Sequence, residues 1–162
     1  MKPSQLISRP VGILIVILFF LPWITISCGA QPISLSGYDL ASGTISDESL
    51  RSSIESQSRS TGQSIGEPML FLIPLAGILA VVAAFRLSLA QAKIVYIVAG
   101  GLGLLAQILK YLDIQSNLSD LEKQGISSSI LNFEIAWWLT AAGLIAIIFA
   151  GYQAHKDEGQ GP

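Results

Sequence analysis

Catalysis and ligand chemistry need ionisable, nucleophilic or metal-ligating side chains held close together, and this chain uses them sparingly. It has one cysteine, Cys28, and one histidine, His155. A lone cysteine forms no intramolecular disulfide. His155 lies in the polar tail beyond the last apolar run, away from the depth at which a haem or pigment would need an imidazole. The sequence contains neither a phosphate-binding Gly-Lys loop nor a paired-cysteine metal spacing. Serines are plentiful, but they fall in polar segments or at the ends of apolar runs, with no histidine or acid at that depth to serve as a base. The expectation is no catalytic, cofactor-binding or metal-ligating residue, no cofactor and no enzyme activity. Gln107 is the polar group inside an apolar run that stands out, either as a hydrogen-bonding contact between helices or as the lining of a transport path.

Apolar residues make up 51% of the 162 and charged residues 12%, the latter about half the usual share of a soluble protein. The shortage is concentrated in four runs. A helix rises about 1.5 Å per residue, so about 20 residues cross a hydrocarbon core of about 30 Å. None of the runs has the polar face that a soluble helix needs. The reading is a single membrane domain, residues 1–162: an all-α integral membrane protein, a four-transmembrane-helix bundle with a small extracytoplasmic β-hairpin or sheet as its cap. The spans fall near 10–28, 68–86, 93–112 and 135–153, with outer loops 29–67 and 113–134. Pro22 and Pro74 fall within the first two spans, where each removes a helical hydrogen bond and invites a kink.

Lys2 and Arg9 before an apolar run that closes on Ile24-Thr25-Ile26-Ser27-Cys28 have the layout of a secretory signal. The ending loosely fits a lipoprotein cleavage box, with Thr25 where Leu is preferred and Pro22-Trp23 unsuited to cleavage, so an uncleaved first helix is expected. Four spans put both termini on one side with Lys2, Arg9, Arg86, Lys93 and Lys156. The opposite side holds Arg51, Arg59, Lys110 and Lys123 and most of the acids. The balance of Lys and Arg favours cytoplasmic termini. The location expected is the bacterial inner (plasma) membrane. A net charge of −2 without a basic cluster argues against a nucleic-acid partner.

In the first outer loop, residues 24–36 alternate apolar and small polar side chains around a Gly-containing turn, which predicts a hairpin. Residues 47–58 suit a short helix capped by Ser46. The third span should continue as a helix carrying Ile114, Leu118 and Leu121, with Gly125 as its stop. Residues 126–134 read as a strand able to join the hairpin.

In lipid, helices associate through close packing of small residues. Candidate rows are Ala76, Ala80 and Ala84 on span two; Ala99, Gly103 and Gln107 on span three; and Ala142, Ala146 and Ala150 on span four. Gly100 and Gly101 allow further close approach. Trp23, Tyr111, Trp137 and Trp138 fall at one boundary, where aromatic side chains anchor at headgroup level. Trp137 or Trp138 could instead contact a quinone or pigment.

The run 19–29, Phe-Phe-Leu-Pro-Trp-Ile-Thr-Ile-Ser-Cys-Gly, followed by Leu35-Ser36-Gly37-Tyr38-Asp39-Leu40-Ala41, resembles a signature of uncharacterised bacterial four-helix membrane proteins. Residues 132–140 are similar to the segment that begins their last helix. The resemblance implies architecture and carries no activity. The layout is also distantly claudin-like, although the first-loop cysteine pair of claudins is missing. The function expected is a non-catalytic accessory or scaffold subunit of a larger membrane complex, an electron-transport or photosynthetic one among the plausible hosts. Its partners would be the lipid bilayer and other membrane subunits, or further copies of itself. The alternatives are a self-assembling surface or adhesion protein and a homo-oligomeric channel or small-solute transporter.

Overall fold

The computed structural model describes residues 3–28, 31–43, 66–123 and 131–158. The helix expected over 47–58, the hairpin's turn at 29–30, the stop at Gly125 and the strand's first part at 126–130 lie outside these residues. The chain begins with helix α1 (Pro3–Phe19), then strands β1 (Pro22–Cys28) and β2 (Gln31–Ser36) and the short helix α2 (Gly37–Ser42). A 3-10 turn (Pro68–Phe71) leads into α3 (Leu72–Arg86). After it come α4 (Leu89–Lys123), β3 (Leu131–Phe133) and α5 (Ile135–Glu158).

The four long helices form a ring. α1 packs against α3 and α5, and α4 packs against the same two, which leaves α1 and α4 on one diagonal and α3 and α5 on the other. Fully buried along the inside are Ile15 of α1, Ile73 and Ala80 of α3, Tyr96 of α4, and Leu144 and Ile147 of α5. α1 meets α3 at Gly12 and Gly77, where the backbones themselves are in contact. Among the described residues, three segments are long and apolar enough to cross a membrane: Pro68–Arg86, Ala90–Ser116 and Ile135–Ala154. The apolar part of α1, Ser8–Phe19, is shorter.

The first span expected at 10–28 divides into two elements. α1 ends at Phe19, and 22–28 is strand rather than helix. Pro22 opens β1, a position where its missing N–H costs no ladder bond, so it kinks nothing. The β-branched Ile24, Thr25 and Ile26 that follow suit a strand. Pro10 lies inside α1. Pro74 is the third residue of α3, within the first turn, where proline is tolerated.

The hairpin forms at the expected residues, with Thr25 opposite Ser34 and Ile26 opposite Ile33. β3 pairs antiparallel on the other edge of β1, Thr25 opposite Asn132, giving the strand order β2-β1-β3. An irregularity between Pro22 and Ile24 sets Trp23 apart from the regular pairing. α2 was not expected from the sequence. It is held by a capping box: Ser36 Oγ accepts from the Asp39 amide at 3.1 Å, and the Asp39 carboxylate accepts from the Ser36 amide at 2.9 Å. Gly43, at φ 68°, ends it in the left-handed region. The Glu67 amide donates to the Leu40 carbonyl and ties α2 to the start of α3.

Candidate functional site

The aromatic residues converge where the sheet meets the helices. Trp23 and Trp137 lie edge to face at 5.3 Å, and Phe133 of β3 packs on Trp137 at 5.2 Å and on Tyr111 at 5.3 Å. Trp23 is fully buried, and its indole N–H donates to the Leu18 carbonyl at 2.8 Å. Trp137 is buried as well, whereas Trp138 is 54% exposed and Tyr111 is half-buried. Of the four expected boundary anchors, Trp23 and Trp137 are therefore core residues joining sheet to bundle. Gly37 explains part of the hairpin motif: a Cβ there would lie 2.8 Å from both the Phe19 and Trp23 rings.

Gln107 of α4 is 2% exposed and faces α5. Its Nε2 donates to the Trp137 carbonyl at 2.8 Å. A carbonyl only accepts, so the amide orientation is fixed by chemistry. The amide oxygen, Oε1, is buried and has no hydrogen-bond partner among the described residues. Gln107 also lines a groove of about 270 Å³ between α4 and α5, whose other walls are Leu104, Ile108, Tyr111, Trp137, Trp138 and Ala141. Ile108 and Trp138 are exposed, which places the mouth of the groove on the outside of the bundle.

The small-residue rows divide. Ala76, Ala80 and Ala84 of α3 are buried, as are Ala99 and Gly103 of α4. Gly103 faces Leu144, which would stand 2.9 Å from a Cβ there. On α5 the expected row turns away from the core: Ala142 is exposed, Ala146 half-buried and Ala150 buried. The buried face of α5 runs instead through Ala136, Thr140, Gly143, Leu144 and Ile147. That face is offset about 100–200° from Ala142 at about 100° per residue.

Polar pairs tie both ends of the bundle, and sequence reading missed them. At the sheet end, Lys110 bridges Glu67 at 2.9 Å and Asp113 at 3.0 Å, and Thr25 donates to Glu134 at 2.7 Å. At the far end Ser8 donates to the buried Tyr96 hydroxyl at 3.0 Å. Arg9 donates to the Ala84 carbonyl at 3.2 Å and stacks over Phe85 at 4.0 Å. The available signal was a polar residue at each edge of an apolar run, which gives no partner. Among the described residues no group of His, Cys, Asp and Glu could hold a metal ion. Comparisons with protein-family models, curated proteins and solved structures find no match to this chain.

Proposed function

We propose that this chain is an integral membrane protein with four spans and cytoplasmic termini, and that it acts as a non-catalytic accessory or scaffold subunit of a larger membrane assembly. Membrane insertion is supported by the large apolar side chains exposed around every long helix: Ile13 and Ile17, Ile78 and Val82, Val98 and Leu105, Ile145 and Phe149. Water tolerates single exposed apolar residues but not such a belt, whereas lipid is its natural solvent.

The observation that carries the subunit role is the outward turn of Ala142, which is exposed, with the half-buried Ala146 one turn further along α5. A strip of small residues on a lipid-facing helix allows a second helix to approach closely. The interior argues against a solute path, because Ile15, Ile73, Leu144 and Ile147 fill it.

Extraction from native membrane in mild detergent, native gel separation and mass spectrometry of the band tests the role. Co-migration with a fixed set of other subunits is expected. Ala142→Phe should leave the chain folded and weaken that co-migration. A band holding this chain alone would overturn the accessory reading in favour of self-assembly.

A further inference from the structure

The groove between α4 and α5 combines two independent features. One is a lateral cavity of about 270 Å³ with aliphatic and aromatic walls. The other is Gln107, an amide 2% exposed whose oxygen lacks a partner among the described residues. Buried polar atoms are almost always hydrogen-bonded, so an orphan acceptor on a residue that lines a cavity asks for a donor. We propose that this groove is a binding site for a membrane-dissolved phenolic compound, an aromatic ring bearing a hydroxyl and an aliphatic tail.

The chemistry selects that class stepwise. One N–H of the Gln107 amide is engaged by the Trp137 carbonyl, and the amide oxygen remains as an acceptor without a partner among the described residues, which a ligand's O–H would satisfy. A ligand bearing only carbonyl oxygens would set acceptor against acceptor at that atom. Tyr111, Trp137 and Trp138 supply aromatic walls for a flat ring. The volume lies just under the range of about 300–1,000 Å³ typical of sites for larger ligands, enough for one ring and the first carbons of a tail. The mouth beside exposed Ile108 and Trp138 leaves the rest of the tail among the lipids. Oε1 has no accessible surface as the groove stands, so binding of the hydroxyl requires the groove's walls to yield.

The inference rests on membrane insertion but not on the subunit role. The probes are 4-nonylphenol and its methyl ether, 4-nonylanisole, which share shape and tail and differ in the O–H. Each is titrated into the full chain in lipid nanodiscs and followed by tryptophan emission. Saturable binding is expected, the phenol about five-fold tighter than the ether, as one hydrogen bond to a buried acceptor implies. Gln107→Leu should bring the two probes level, and Ala141→Phe should abolish saturable binding of both. Equal affinities in the native protein, or no saturable response, would overturn the proposal without requiring any variant to fold. Flotation of the chain with lipid vesicles reads insertion separately, so failure of the membrane reading would be distinguishable from failure of the site.

Discussion

Gly12 of α1 and Gly77 of α3 touch backbone to backbone, each filling the space in which the other would carry a side chain. A Cβ on Gly12 would stand 2.6 Å from the Gly77 carbonyl oxygen, and one on Gly77 would stand 2.7 Å from that of Gly12. Neither obstacle is a flexible side chain, so the helices themselves would have to part. Gly12→Ala or Gly77→Ala is expected to destabilise the bundle by about 1–3 kcal/mol, the usual range for overpacking. Gly101→Ala is the control, because a Cβ there meets nothing within 4 Å. It should change stability by no more than about 0.5 kcal/mol. Unfolding in mixed micelles with increasing denaturing detergent measures all three.

That contact was not legible in the sequence, and the reason is physical. Two glycines on separate helices leave no periodic signal that joins them across 64 intervening positions. The outward face of Ala142 was equally hidden. A soluble helix marks its inner face by contrast with a polar one, but a helix in an apolar run is apolar all round and carries no such mark. Where contrast existed, the reading succeeded. Alternation around Thr25 and Ser34 located the hairpin, and the lone amide in its run picked out Gln107. Residues 22–28 were ambiguous because a short apolar run suits helix and strand alike; Pro22 and the β-branched residues after it were the available hint.

The tryptophans occupy different environments and should respond differently to a quencher in the lipid. Trp23 and Trp137 are buried against each other, whereas Trp138 is 54% exposed. In bilayers of lipid brominated along the acyl chain, Trp138→Phe is expected to remove most of the quenchable emission. Trp23→Phe and Trp137→Phe should leave it. Trp23→Phe should also cost about 1–2 kcal/mol, because it loses the hydrogen bond to the Leu18 carbonyl and leaves unfilled volume.

Lys110 fastens α4 to the segment leading into α3 through Glu67. The lysine side chain is 15% exposed and that of Glu67 41%, so solvent screens the pair. A double-mutant cycle of Lys110→Met and Glu67→Gln should give a coupling of about 0.5 kcal/mol. It should shrink as salt is raised. A coupling that did not respond to salt would mean the pair is shielded from water in the membrane.

The central claim is that the chain crosses the bilayer four times, and α1, whose apolar part is Ser8–Phe19, is where that claim is most exposed. In a Cys28→Ser background, a cysteine is placed in a tag before Met1 or at the exposed position of Ser34 in β2. Each protein is treated with a membrane-impermeant thiol reagent in sealed cells and again after lysis. The account predicts labelling of Ser34→Cys in sealed cells and of the tag only after lysis. Labelling of both positions from the same side would show that α1 does not cross, and would contradict the four-span bundle.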